Sequence, residues 1–254
     1  MATMPPIQRL ADRILPKLVR RDLVRWAHRL TARPPIGGIE FGDLRRLTPI
    51  SDDWGFDRGE PIDRFYIRKF MERYADTVRG RVLEIGNNDL TVRHGGDRIS
   101  CSDVLHVKNS GPPVTIVADL SDGEGIPSDA FDCVILTQTL QLIYDAPAVV
   151  RTLHRILKPG GSALVTVPAI TRISRYDMDR WGQFWSFTTR SARRLFEDVF
   201  APAGVEVEAY GNVLTAVAFL HGAAANELRV EELMHTDADF EVLVTIRATR
   251  EVTT

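Results

Sequence analysis

Arg81-Val82-Leu83-Glu84-Ile85-Gly86-Asn87-Asn88 reads as a short buried strand that closes on an acid, a glycine and two small polar residues. A strand that stops in a glycine-bearing turn leaves backbone N–H groups aimed at open space, where a ligand can sit. Two apolar stretches downstream also close on an acid, Asp103 and Asp119. Acids at successive strand ends predict a nucleoside-like ligand lying across the edge of a parallel sheet.

Outward from this stretch the pattern alternates between strand and helix in the α/β manner. Strands are expected at 81–85, 99–103, 114–118, 131–137, 162–167, 205–210 and 240–248. A helix opens after Glu60-Pro61 and carries Ile62, Phe65, Tyr66, Phe70 and Tyr74 on one face, ending near Val78. Val149, Val150, Leu153, Ile156 and Leu157 line another, at 146–157, stopped by Lys158-Pro159-Gly160-Gly161. Further helices are expected at 190–199, capped by Thr188 or Thr189, and at 213–221 and 225–233. The connection after Gly86 has room for about two helical turns. The one between Asp103 and Val114 reads as a loop, so one end of the sheet is thinly covered.

The chain has 254 residues, 44% apolar and 26% charged, with a net charge of −2. That suits one domain with an appendage and gives no basic field for nucleic acid. Cys101 and Cys133 fall in apolar runs and read as buried, reduced residues, and no zinc spacing is present. No metal is expected. Without a long apolar run, a cytoplasmic protein is the expectation. Residues 5–33 differ: Ile7, Leu10, Leu18, Leu23 and Trp26 recur at helical spacing among Arg9, Arg13, Lys17, Arg20, Arg21, Arg25 and Arg29. This basic amphipathic segment packs on its own domain or a second subunit (a homodimer), or docks on an anionic membrane or a partner enzyme.

The block Phe131-Asp132-Cys133-Val134-Ile135, then Leu157-Lys158-Pro159-Gly160-Gly161, then Val165-Thr166-Val167-Pro168 resembles the class I S-adenosylmethionine-dependent methyltransferases of small-molecule type. Gly59-Glu60-Pro61-Ile62-Asp63-Arg64-Phe65-Tyr66 and Ser174-Arg175-Tyr176-Asp177-Met178-Asp179-Arg180-Trp181 are similar to a bacterial branch found in glycan and natural-product pathways, sometimes joined to glycosyltransferases. The resemblance implies an α/β, Rossmann-like, seven-stranded, mostly parallel sheet with the last strand antiparallel. Residues 56–254 form that domain, 1–55 a helical and irregular N-terminal extension, and 169–188 a segment over the acceptor.

It also implies S-adenosyl-L-methionine as cofactor. Glu84 and Gly86 match the acid and first glycine of the family's first motif, with Asn87 and Asn88 where further glycines are usual. Asp103, with Val104 beside it, matches the acid that takes both ribose hydroxyls, because a carboxylate accepts two O–H donors. Asp119 and Leu120 match the pair at adenine, Thr137 and Gln138 pass under the methionine portion, and Tyr66 closes over its carboxylate end. Gln141-Leu142 stands where the family often has Glu-His. Left-handed backbone at Asn87 or Asn88 lets the first turn form.

Methyl transfer from a sulfonium needs a positioned acceptor and, for a hydroxyl, a base. Residues 171–187 combine aromatic and charged groups that suit a sugar or glycosylated metabolite: Trp181, Phe184 and Trp185 for stacking, and Arg175, Tyr176, Asp179 and Arg180 for hydroxyls. Core packing and mutual ion pairs are the competing reading of the same residues. Asp177 is the preferred base, followed by Asp145 and His94. Nicotinamide, P-loop and α/β-hydrolase chemistry is excluded by the absence of G-x-G-x-x-G, Tyr-x-x-x-Lys, G-x-x-x-x-G-K-[ST] and G-x-S-x-G. The alternative function is a methyltransferase fold without transfer activity that docks a glycosyltransferase or a membrane through residues 5–33.

Overall fold

The computed structural model describes residues 31–109 and 111–252, with Leu23, Trp26, Ala27 and Arg29. Most of the basic segment 5–33, and with it the docking roles expected there, lies outside the described residues. The chain divides into a unit up to Leu47 and one from Thr48 onward.

The second unit holds strands β1 (Gly80–Ile85), β2 (Ile99–His106), β3 (Ile116–Val117), β4 (Phe131–Thr137), β5 (Leu157–Pro168), β6 (Val205–Tyr210) and β7 (Leu243–Thr249). They form one seven-stranded sheet in the order β3-β2-β1-β4-β5-β7-β6. β7 runs antiparallel to both its neighbours, β5 and β6, and the remaining pairs are parallel. The helices are α1 (Ile62–Arg73), α2 (Asp89–Gly95), α3 (Ala146–Ile156), α4 (Arg175–Met178), α5 (Thr189–Glu197), α6 (Val213–His221) and α7 (Val230–Met234).

Period-two alternation splits the core into two layers. Leu83, Val134, Leu136 and Val165 face α3 and α5, meeting Val149, Leu153, Ile156 and Phe196. Val82, Cys133, Ile135 and Leu164 face α1 and α6, meeting Ile62, Phe70, Met71 and Phe219. Local signals set the helix limits. Asp145 accepts from the Ala148 N–H to cap α3, and Thr188 caps α5 through a reciprocal pair with Ser191. Loop alone joins β2 to β3 among the described residues, so that edge is thinly covered, as expected.

Several expectations are corrected. β2 runs on to His106 rather than stopping at Asp103, because Val104 and Leu105 continue the buried ladder beside Glu84 and Ile85. Cys101, two residues before Asp103, is exposed; only Cys133 is buried. α1 stops at Arg73, and a 3-10 turn at Ala75–Thr77 follows. Lys158-Pro159-Gly160-Gly161 does end α3, but it is absorbed into a bulged start of β5, between the pairs Phe131–Leu157 and Cys133–Ser162. Gly161 is needed there by contact: a Cβ would lie 2.9 Å from the carbonyl oxygens of Lys158 and Phe131. Gly161→Ala is expected to destabilise the fold by about 1–3 kcal/mol, read as a lower urea midpoint with an unchanged slope.

Candidate functional site

The order of strands reverses between β1 and β4, and at such a switch point the carboxyl ends of the strands open a crevice. Two cavities fill it, sharing Ile85 and Leu142 in their walls. The first, of about 600 Å³, lies over β1, β2 and the end of β3 and is bounded by Gly86, His106, Asp119, Leu120, Trp181 and Phe184. The second, of about 320 Å³, lies toward β5 and β7 and includes Asn87, Thr137, Gln138, Gln141, Asp63 and Asp177.

Gly86 sits at the floor of the first cavity with φ +89°, and a Cβ there would project into open space. Its N–H donates to the Leu105 carbonyl, which pins the turn to β2. Asn87 and Asn88 do not need the left-handed backbone expected of them, since neither has positive φ. Their side chains instead serve the turn: Asn87 Oδ1 accepts from the Asp89 N–H, its Nδ2 donates to Asp89, and Asn88 Nδ2 donates to Ser102 Oγ. Glu84 is buried under this turn. Its carboxylate accepts from the N–H groups of Leu90 and Thr91 and from Thr91 Oγ1, at 2.8–3.2 Å, and so holds the first turn of α2. Burial raises its pKa against those hydrogen bonds.

Asp103 lies below the carboxyl edge, level with Leu83, where Arg81 Nε and Thr115 Oγ1 donate to it at 2.7 and 2.8 Å. Val104 is buried beside it. From β2, Leu105 and His106 line the first cavity, and His106 is the polar one, its Nδ1 accepting from the Lys108 N–H. Asp119 is exposed and accepts from the N–H and hydroxyl of Ser121 through one oxygen, while Leu120 is buried. Tyr66 is far from the closing role expected of it: fully buried, it stacks on Tyr210 and donates to the Leu233 carbonyl. Asp132, at the opposite edge, is structural, accepting from the Arg81 N–H and Lys158 Nζ.

The second cavity is polar. Gln138, at the end of β4, holds φ +49°, a strained backbone of the kind that collects at functional sites. Its Oε1 accepts from Gln141 Nε2. Gln141 is buried, and its own Oε1 has no partner among the described residues. Asp63 enters from α1, and Thr171, Arg172, Ser174, Asp177 and Gln183 come from the segment after β5. Trp54 and Phe56 supply aromatic surface. The Trp54 loop is held by Ser51 Oγ, which accepts from the Asp53 and Gly55 N–H groups, and by Arg172, stacked 4.2 Å from the Trp54 ring centre.

The other expected acceptor residues separate. Trp181 meets His106 edge-on, with Lys108 Nζ 5.3 Å from its ring centre, and so walls the first cavity. Trp185 stacks on Tyr144 and donates to the carbonyls of Ile143 and Tyr144. Arg175, Tyr176, Asp179 and Arg180 line neither cavity; Arg180 lies 3.6 Å over the Tyr176 ring. Of the expected bases, Asp177 lines the polar cavity. Asp145 lines the first cavity, and its carboxylate caps α3. His94 borders a third cavity, with Glu84 and Arg93, and burial lowers its pKa. Asp63, His106, Trp54 and Phe56 were missed. The sequence does carry Trp54 and Phe56 as aromatic punctuation in an irregular stretch and Asp63 as a first-turn acid, but neither feature points to a groove.

The arrangement fits S-adenosylmethionine. A glycine floor and walls of Ile85, Leu105, Leu120 and Ile143 suit a nucleoside, and the unpartnered Gln141 oxygen next door suits an ammonium group. One element departs: among the described residues β2 brings an imidazole, not a carboxylate, to the edge. Among the described residues no group of three or more His, Cys, Asp or Glu is placed to hold a metal. No described helix is long and apolar enough to cross a membrane.

A family profile described as "Methyltransferase domain" matches residues 19–197. A curated relative, the ubiquinone/menaquinone biosynthesis C-methyltransferase UbiE of an Enterobacter species, is 27% identical over 177 residues, which is 60% of this chain and 66% of the relative. The match thus spans just under two thirds of that relative's length. The crystal structure of a SAM-dependent methyltransferase from Archaeoglobus fulgidus superposes with a TM-score of 0.50 at 12% identity, covering 74% of this chain and 94% of that one. With strand order, switch-point crevice and family profile in agreement, the chain belongs to the class I S-adenosylmethionine-dependent methyltransferases.

Proposed function

We propose that the chain O-methylates a hydroxyl of a small polar acceptor, a sugar or glycosylated metabolite. The observation that carries this reading is the polar cavity, where Asp63, Ser174, Asp177 and Gln183 stand beside Trp54 and Phe56. Aromatic faces suit the apolar side of a pyranose, and carboxylates and amides suit its hydroxyls. S-adenosylmethionine, when bound, supplies an activated methyl group whose transfer leaves a neutral thioether. Gly86, Asp119, Leu120 and Trp181 would hold its nucleoside, and Thr137, Gln138 and Gln141 its amino-acid end. The chain's own contribution is then to orient the acceptor, exclude water and remove one proton.

The relative's C-methylation in quinone biosynthesis is the competing class, and the polar lining favours the hydroxyl acceptor over a quinone ring. Purified protein is to be incubated with S-adenosylmethionine and separate pools of free sugars, nucleotide sugars, glycosides and a short-chain quinol. The expected result is one methyl gained on a sugar hydroxyl. Methylation of the quinol carbon alone would sink the reading.

Trp181→Ala is expected to weaken S-adenosylhomocysteine binding about tenfold by calorimetry, because an aromatic wall of the nucleoside cavity is lost, while the acceptor KM stays near wild type. A raised KM with unchanged cofactor affinity would return Trp181 to the acceptor.

His106 at the β2 edge favours a second reading. In it the fold transfers no methyl group and holds no cofactor, and serves as a docking module with residues 5–33 contacting a glycosyltransferase or a membrane. Calorimetry separates the two, since the enzyme reading requires saturable binding of S-adenosylhomocysteine.

A further inference from the structure

We infer that Asp63, on the first turn of α1, is the carboxylate that takes the proton from the acceptor hydroxyl. The inference rests on the hydroxyl-acceptor reading above.

Asp63 and Asp177 line the same cavity from different supports. α1 has twelve residues and is anchored by buried Ile62, Phe65, Tyr66 and Ile67. α4, which carries Asp177, has four residues, none of them buried. A base must be held within hydrogen-bond reach of one proton, and the anchored helix does that better. One Asp63 oxygen also accepts no hydrogen bond from a neighbouring residue. Its side chain is about 15% exposed. Oδ1 accepts from the Arg64 N–H at 2.8 Å, while Oδ2 lies 3.8 Å from Arg64 Nε, beyond hydrogen-bond range. No hydrogen bond from any other residue to Asp63 occurs among the described residues.

The electrostatics agree with this placement. Burial pushes the Asp63 carboxyl above its ordinary range, and Arg64 opposes the shift. A carboxylate made more basic by desolvation matches an alcohol proton better than an exposed one. The other charged groups lining the cavity are Arg64, Arg172 and Asp177. The acceptor oxygen forms the C–O bond as the C–S bond breaks with its electron pair left on sulfur, and the hydroxyl proton passes to Asp63 Oδ2 and then to water. Asp177 is left to orient acceptor hydroxyls.

Asp63 must be ionised to act, so kcat should rise with pH through its pKa. Asp63→Asn should lower kcat by about 10²–10³-fold. It should also abolish that acid limb and leave S-adenosylhomocysteine affinity within about threefold. Asp63→Glu should restore part of kcat and the limb, and thermal unfolding should confirm that both variants fold. A second readout is independent of turnover: the Asp63 carboxyl carbon, assigned by its loss in Asp63→Asn, should titrate above the ordinary aspartate range in the S-adenosylhomocysteine complex. An ordinary titration would overturn the proposal. So would Asp63→Asn with wild-type kcat and acid limb while Asp177→Asn takes the loss. Wild-type protein that methylates no hydroxyl sinks the function reading and this inference together, whereas an active wild type with an active Asp63→Asn sinks this inference alone.

Discussion

Gly86→Val should weaken S-adenosylhomocysteine binding by at least about 100-fold while the protein stays folded. Gly86 has φ +89°, where a β-branched residue is strongly disfavoured. Its Cβ position is open space on the floor of the 600 Å³ cavity, so the added side chain would occupy the ligand's volume. Strain alone accounts for about 1–2 kcal/mol of stability. The control is Gly96→Ala. Gly96 also has positive φ and open space at its Cβ, but it lies beyond the end of α2. It should lose similar stability and no cofactor affinity. Calorimetry and thermal unfolding on both variants separate the terms. Wild-type binding by Gly86→Val would mean that the cofactor lies elsewhere.

Glu84→Ala should produce the largest stability loss, on the order of 3 kcal/mol. The carboxylate answers three donors, the Leu90 and Thr91 N–H groups and the Thr91 hydroxyl. Removing it leaves them unpaired in a buried position, at about 1–3 kcal/mol for each group not reached by water. The first turn of α2 would fray, and cofactor binding would fall with it because Gly86 precedes that turn. The pH dependence has a definite sign. Burial raises the folded carboxyl above its unfolded value, so the protonated form favours the fold. That contribution is full below the unfolded pKa and is lost as pH rises through the folded one. The gap between wild type and Glu84→Ala in urea titrations should therefore narrow across that window. A gap that widens with pH would contradict the burial argument.

Much of the fold was legible in the chain because its signals are local. The cap at Thr188, the Lys-Pro-Gly-Gly stop after Ile156 and the alternation over 205–210 each depend on a few neighbouring residues. The strand alternation and the antiparallel final strand implied by the family resemblance were also right. The errors have a common origin in register. Asp103 reads as a strand end because an acid after alternating residues is a plausible stop. The ladder beside β1 carries β2 three residues further, and Arg81 and Thr115, distant in sequence, make a polar niche for the acid inside the sheet. His106 inherits the edge.

The acceptor side shows the same limit. Trp181, Phe184 and Trp185 read together because they lie within five residues of one another in a segment rich in charge. The turn at Gly182 (φ +85°) and the hydrogen bond from the Phe184 N–H to the Gln141 carbonyl send them to the nucleoside side and to Tyr144. The aromatic surface of the polar cavity comes instead from Phe219 and from Trp54 and Phe56, the latter two more than a hundred residues earlier. Asp63 announces itself in sequence as a first-turn acid. Its relation to Asp177 is set only when α1 and the segment after β5 meet over the sheet.

By itself, then, the sequence pointed to the family through its resemblance and set the order of strands and helices, because propensity, capping and periodicity act over a few residues. Tertiary structure alone decided which side chains reach the crevice. Strand register moved the edge from Asp103 to His106, and layer packing brought Asp63, Trp54 and Asp177 to one cavity. Both are set by long-range burial, which no local spacing encodes.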